Sequence, residues 1–265
     1  MSAILVRDLV RDLGAESASL DALVAPLPPE QWATPTPAEG WTIAHQIAHL
    51  AWTDRLVLLS AIHEDAFAAA AARASADPTG FADAGARELA AEEPGKLLAM
   101  WRDGIVEVCE AMSHLPGGTH LSWFGPGMSA ASMVSARIME TWAHGQDIAD
   151  ALGVTREPTA RLRHVAHVAV ASRGYAYTIN GRTPPQEPIR VELVGPDGSV
   201  WSWGPADAAD RVTGPALDFC LLGTRRRHRD DLKVVATGPV ADAWLDIIQA
   251  FAGPPGPGRR PGQVV

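Results

Sequence analysis

Cysteine is scarce in this chain: Cys109 and Cys220 are the only two in 265 residues. Both sit in apolar, helical-looking stretches, which suits buried free thiols in a reducing compartment rather than a disulfide framework. Basic charge is also short, with 22 Lys and Arg against 31 Asp and Glu and a formal net charge of -9. A nucleic-acid surface needs a basic excess or a basic stripe. The one basic cluster, Arg225 to Arg229, is too short to supply it. No apolar run reaches the roughly 18 residues of a membrane helix. The N-terminus carries early acids, Asp8 and Asp12, and lacks an apolar core followed by a cleavage site. No internal repeat is visible. These absences predict a cytoplasmic protein with neither nucleic-acid nor membrane partners.

What is present is an ordinary globular composition, 47% hydrophobic, in a chain long enough for a substantial core. The first half reads as helical. Ile4, Leu5, Leu9, Leu13, Leu20 and Leu23 recur at helical spacing over residues 3–25. A Pro-rich stretch follows. A second helix is predicted from Thr42 towards Ala74, stopped by Asp77-Pro78-Thr79-Gly80. Residues 81–92 form a short helix in this reading. Pro94 then opens a long helix whose apolar stripe is Leu97, Leu98, Trp101, Ile105, Val108 and Met112. Ser129 is placed to cap a fourth long helix, and Gly153 to end it.

The pattern changes after residue 154. One helix is predicted over Thr159–Tyr177. The alternating run Ile189–Val194, the turn Gly195–Gly198 and the run Ser199–Trp203 predict a hairpin central to a small sheet. Further elements are a helix at 215–222, a strand at Leu232–Thr237 and a final helix at Pro239–Phe251. The Pro- and Gly-rich tail predicts a flexible end. The expected fold class is α+β, mainly α. A four-helix unit at 1–154 is followed by a small α+β unit at 155–252 and a tail at 253–265.

Chemistry concentrates in two predicted helices. Glu140 and His144 stand four residues apart, about one helical turn, so both project from one face. Asp147 lies beside them. His45 and His49 repeat the spacing in the earlier helix. A lone His on an apolar face is ordinarily a satisfied core residue. A carboxylate in such a stretch is harder to explain, because an ionised carboxylate is costly to bury unless it is paired or metal-bound. Pairing of Glu140 with Arg137 on its own helix is one outlet. The other is a metal site, since imidazoles and a carboxylate from facing helices suit a divalent ion. Spacing alone leaves both open.

The segments Gly40-Trp-Thr-Ile-Ala-His-Gln-Ile-Ala-His-Leu50, Trp123-Phe-Gly-Pro-Gly-Met-Ser129 and Ala136-Arg-Ile-Met-Glu-Thr-Trp-Ala-His-Gly-Gln-Asp-Ile-Ala-Asp-Ala-Leu-Gly153 resemble the second- and fourth-helix motifs of the mycothiol-dependent maleylpyruvate isomerase family. These are DinB-like metalloproteins, and the later residues resemble that family's sterol-carrier-like C-terminal domain. The resemblance is greatest to an actinobacterial metal-binding branch. It implies a DinB-like four-helix bundle in which His49, Glu140 and His144 hold one Zn2+ or another divalent metal. It leaves His45 as a pocket residue beside the ligands. Asp147, one turn beyond His144, is placed to accept the free ring N–H of His144 or to reach a water, the alternative being an ordinary solvated acid near the helix end. Trp52, Asp54 and Trp123 become candidates for lining the cleft at the metal.

The implied activity is thiol-assisted: mycothiol, as cosubstrate, adds to a conjugated double bond of a small-molecule substrate, the bond rotates, and the thiol leaves. Related activities include S-transfer. The family also implies an activity-relevant arginine in the C-terminal domain, for which Arg225 and Arg227 are the candidates. A non-thiol metalloenzyme, such as a hydrolase or biosynthetic cyclase, and a non-catalytic metal-binding protein remain as alternatives. The oligomeric expectation is a monomer or homodimer.

Overall fold

The computed structural model describes residues 6–77, 80–124 and 127–263. Ile4 and Leu5 of the first predicted helix, Pro78 and Thr79 of the predicted stop, Gly125 and Pro126 of the Trp123–Ser129 segment, and the last two residues of the tail lie outside them. The chain divides into two compact units, Met1–Thr155 and Arg156–Val265.

The first unit contains α1 (Val6–Val24), α2 (Ile43–Ile62), α3 (Glu64–Ala76), α4 (Phe81–Ala90), α5 (Pro94–Ser113) and α6 (Ala130–Leu152). The four longest close a bundle: α1 packs on α5 and α6, and α2 packs on the same two. Each buries the stripe its periodicity dictates. Leu9, Leu13, Leu20 and Val24 point inward from α1, and all six predicted stripe residues of α5 are buried. Helix α6 starts and stops as the sequence predicts. The Ser129 hydroxyl accepts the Ser132 N–H (3.1 Å), and Gly153 takes the left-handed conformation at φ 65° that glycine adopts without strain. From Trp142 to Asp150 every residue of α6 is buried. Its polar side chains therefore need hydrogen-bonding partners.

Two features depart from the sequence reading. The predicted helix from Thr42 towards Ala74 is broken at His63 (φ -141°, ψ 64°), so α3 restarts in a new direction. That turn brings Phe67 against Trp123 and Phe124, at ring-centroid distances of 5.6 and 5.3 Å. The connection from α5 to α6 also contains a small antiparallel pair, β1 (His120–Leu121) with β2 (Met128–Ser129), where no sheet was expected. Strands of two residues carry no readable period. Their pairing closes this connection and sets Ser129 at the start of α6.

The second unit opens with α7 (Leu162–Ala171) and α8 (Arg173–Ile179), separated at Ser172, where one continuous helix was predicted. A four-stranded sheet follows, in the order β4-β3-β5-β6, from β3 (Ile189–Val194), β4 (Val200–Trp203), β5 (Asp210–Pro215) and β6 (Val235–Thr237). The predicted hairpin is β3–β4, with Val191 opposite Trp203. β5 lies parallel to β3 on its other side, so β3 is an inner strand and β4 an edge. The sequence of β5 hid it: its polar Asp210, Arg211 and Thr213 and its Gly-Pro end read as a loop.

Helices α9 (Ala216–Gly223) and α10 (Pro239–Leu245) complete the unit, α10 ending short of the predicted Phe251. Three hydrogen bonds join described residues of the tail to the rest of the unit. The Gly253 N–H donates to the Tyr175 hydroxyl (2.8 Å), the Pro255 carbonyl accepts from Arg225 (3.0 Å), and the Gly262 N–H donates to Asp231 (2.9 Å). Among the described residues no helix is long and apolar enough to cross a membrane.

Helix α4 lies on α2, with Gly85 against the Trp52 indole; a Cβ at Gly85 would come within 2.3 Å of the ring atoms Cε2 and Nε1. Overpacking of this kind costs about 1–3 kcal/mol, more than the ~1 kcal/mol that alanine gains in helix propensity. Gly85→Ala is therefore expected to lower the thermal midpoint and to shift Trp52 fluorescence. An unchanged midpoint would show that α4 adjusts freely.

Candidate metal centre

Helices α2 and α6 bring His49, Glu140 and His144 together. One ligand atom from each lies within 4.8 Å of the others. Glu140 Oε2 is 3.1 Å from His144 Nε2 and 3.7 Å from His49 Nε2. Two ligands about 2.1 Å from one zinc ion at the tetrahedral angle stand about 3.4 Å apart, between these two values.

The hydrogen bonding says which nitrogen is free. His144 Nδ1 lies 2.5 Å from Gln46 Oε1, a carbonyl oxygen that can only accept. Nδ1 therefore carries a proton, and Nε2 is the ring nitrogen turned to the Glu140 carboxylate. Gln46 is itself held by donating from Nε2 to the Thr36 hydroxyl (2.8 Å), which donates to the Trp41 carbonyl (3.0 Å). Burial works against ionisation of Glu140, but its contacts with His144 and His49 hold its carboxyl well below the usual range. One ligand atom from each of two imidazoles and a carboxylate converge here, the donor set that a divalent cation takes. The three residues fit a divalent ion such as zinc, with Gln46 fixing the ring of one ligand.

Aromatic rings frame the cluster. Trp41 lies 5.4 Å from His49 and 6.0 Å from His144, and Trp52 lies 6.0 Å from His49. Trp41 is steered by donating its indole N–H to Asp83 on α4 (2.7 Å). Trp52 leads through Phe81 and Phe124 to Phe67 and Trp123.

The remaining sequence candidates fall elsewhere. His45 closes the N-terminus of α2: its Nδ1 lies 3.3 Å from the Thr42 amide that donates to it and 2.9 Å from the Thr42 hydroxyl. Trp123 packs on Phe67 and Phe124 and makes no ring contact with the three ligand candidates among the described pairs. Asp54 cannot line a cleft, because it is fully buried. It accepts from Arg137 Nε at 3.0 Å, so Arg137 serves Asp54 rather than Glu140. Asp147 is buried on α6, while Gln46 occupies the His144 nitrogen for which Asp147 was the expected partner. Gln46, Trp41 and Arg137 went unremarked as site residues in the sequence. For Gln46 a signal existed, since it precedes His49 by three and shares its helix face.

The second unit has a cavity of about 430 Å³ lined by Arg225, Arg227, His228, Arg229 and Arg259 together with Asp230 and Asp246. Arg229 is matched by Asp246 (2.6 Å) and Asp242 (2.5 Å). Arg225 is different. No carboxylate pairs with it among the described residues, burial depresses its pKa, and its guanidinium donates to the Pro255 carbonyl. Its φ of 60° makes it the sole non-glycine residue in the left-handed region among those described. Arg227 donates to the Arg226 carbonyl (2.7 Å).

Comparison with known proteins follows the same division. A model of the mycothiol maleylpyruvate isomerase N-terminal domain matches residues 13–149, and a model described as wyosine base formation matches residues 185–237. Two uncharacterized proteins from two strains of Mycobacterium tuberculosis are each 58% identical over 250 residues, 94% of this chain and 97% of theirs. A crystal structure of the mycothiol-dependent maleylpyruvate isomerase matches with a TM-score of 0.59 at 15% identity, covering 89% of this chain and 97% of that one. A mutant of that isomerase gives 0.58 at 16% identity over the same shares. At such identity the likeness is one of fold. The N-terminal match spans just over half of the chain and includes His49, Glu140 and His144. This chain belongs to the mycothiol maleylpyruvate isomerase family.

Proposed function

We propose that the protein is a metal-dependent enzyme that uses a low-molecular-weight thiol, mycothiol in the first instance, to isomerise or S-transfer to a small organic substrate. The observation that carries this reading is the convergence of one ligand atom each from His49, Glu140 and His144 within 4.8 Å. Zinc bound there would keep one coordination position open and hold a thiol as thiolate at neutral pH. The fold shared with structures named mycothiol-dependent maleylpyruvate isomerase supports the choice of thiol chemistry. In the isomerisation, thiolate sulfur bonds to one carbon of a double bond conjugated to a carbonyl, and the electron pair moves to the carbonyl oxygen. Rotation follows about the new single bond. The electrons return, the carbon–sulfur bond breaks, and the thiolate is regenerated with no net redox change.

This chain's residues divide the remaining work. Gln46 holds the His144 ring so that Nε2 faces Glu140. Trp41 and Trp52 pack beside His49 and limit water at the centre. In the second unit the uncompensated Arg225 guanidinium receives a carboxylate or other anionic group, with Arg227 as a further wall of that cavity.

Four outcomes test the reading. His144→Ala should abolish both stoichiometric zinc binding and turnover, and full activity of this variant would remove metal from the chemistry. Calorimetry should find mycothiol binding to the zinc-loaded protein and none to the metal-free form; equal affinity for both would leave a metalloenzyme without thiol chemistry. Gln46→Ala should weaken zinc by about 10–100-fold while the fold is retained, as read by competition with a chromophoric chelator. Arg225→Ala should leave zinc bound and raise the KM for an anionic substrate at least tenfold; an unchanged KM would assign Arg225 a structural role.

A further inference from the structure

The α2–α6 seam carries three polar cross-links in sequence. Gln46 meets His144, His49 meets Glu140, and Asp54 meets Arg137. Residue numbers rise along α2 as they fall along α6, so the helices are antiparallel and the ligand layer lies between two ties. The upper tie, Gln46, acts on a ligand directly. The lower tie's hydrogen bonds run between its own two residues and to the Leu50 carbonyl, yet it is the most deeply buried of the three: Asp54 is 0% and Arg137 2% exposed.

Stability does not account for that pair. Removing two charges from water costs several kcal/mol per ion, and well-packed apolar replacements are often neutral or stabilising. This pair is also geometrically modest. Arg137 gives Asp54 one hydrogen bond of 3.0 Å rather than a two-pronged fork, and sends Nη2 to the Leu50 carbonyl at 3.4 Å. Leu50 directly follows the candidate ligand His49. Arg137 thus grips α2 at two points, Leu50 and Asp54, one turn apart. It stands three residues before Glu140 on α6 and, by binding Asp54, leaves the Glu140 carboxylate to the two imidazoles.

We infer that Asp54 and Arg137 are positioning residues: their buried pair fixes the register of α2 against α6, and so the separation of His49 from Glu140 and His144. The inference rests on the metal reading above. A helix advances 1.5 Å and turns about 100° per residue. A one-residue slip would therefore carry His49 off the face that meets Glu140. Apolar side chains tolerate sliding and repacking, whereas a buried charge tolerates only the position where its partner is met.

The test separates positioning from stability. Zinc affinity is first measured on the wild-type protein and on His144→Ala; binding lost in the variant establishes the centre. Failure of the wild type to bind one zinc ion would remove both the centre and the inference built on it. The double variant Asp54→Leu, Arg137→Met is then expected to fold with a thermal midpoint at or above wild type when metal-free, yet to bind zinc at least tenfold more weakly. Unchanged affinity in the folded double variant overturns the inference. If that variant does not fold, the near-isosteric Asp54→Asn decides. Its Co2+-loaded form should show weakened binding and shifted visible bands, reporting altered ligand geometry. A wild-type spectrum and affinity would make the pair merely structural.

Discussion

The candidate centre depends on one constraint: α2 and α6 must lie antiparallel in a single register. Neither helix alone supplies three donors. Helix α6 offers Glu140 and His144 one turn apart, and α2 contributes His49 across the seam. Because α6 is buried on every side from Trp142 to Asp150, its position is dictated by the whole bundle rather than by one contact. The surrounding polar groups are consistent with that. Gln46 is tied through Thr36 to the backbone of Trp41, so the approach to α2 and the orientation of His144 are set together. Close-packed interiors transmit strain, so a small displacement at one tie is felt at the ligands.

In the second unit the physical tension lies at Arg225. A half-buried guanidinium answered by a backbone carbonyl, on a residue strained to φ 60°, is an expensive arrangement for a loop. Arg229 shows what a structural arginine in the same cavity looks like, its charge matched by Asp242 and Asp246. The tail contributes to the contrast. Pro257, Gly258 and Arg259 form part of the cavity wall, and Pro255 holds the Arg225 side chain. Uncompensated charge and backbone strain at one residue are features that proteins concentrate at functional positions.

Much of this was legible in residues whose meaning is local. The Glu140–His144 spacing, the Ser129 and Gly153 caps, the α5 stripe and the β3–β4 hairpin each follow from a helical or strand period, or from a turn preference. His49 became a ligand candidate through family resemblance, because a histidine on an apolar face says nothing by itself. Residues whose meaning depends on a partner far along the chain were misread. Asp54 passed as a cleft residue until Arg137, 83 positions on, was found beside it. His45 repeats the helical spacing of a ligand but spends its ring on capping α2. Strand β5 was lost because its burial comes from the strands on either side of it, not from an apolar sequence.

The sequence by itself determined a mainly helical α+β chain and placed a carboxylate and an imidazole on one face of a helix. Those are consequences of periodicity and propensity acting over a few residues. Only the tertiary structure decided that Glu140 meets two imidazoles instead of Arg137, that Gln46 rather than Asp147 stands at the His144 nitrogen, and that Arg225 lacks a counter-charge among the described residues. Each of those outcomes depends on which buried polar group finds a partner across packed elements. That choice is made by desolvation and packing over each folded unit, and no short stretch of sequence carries it.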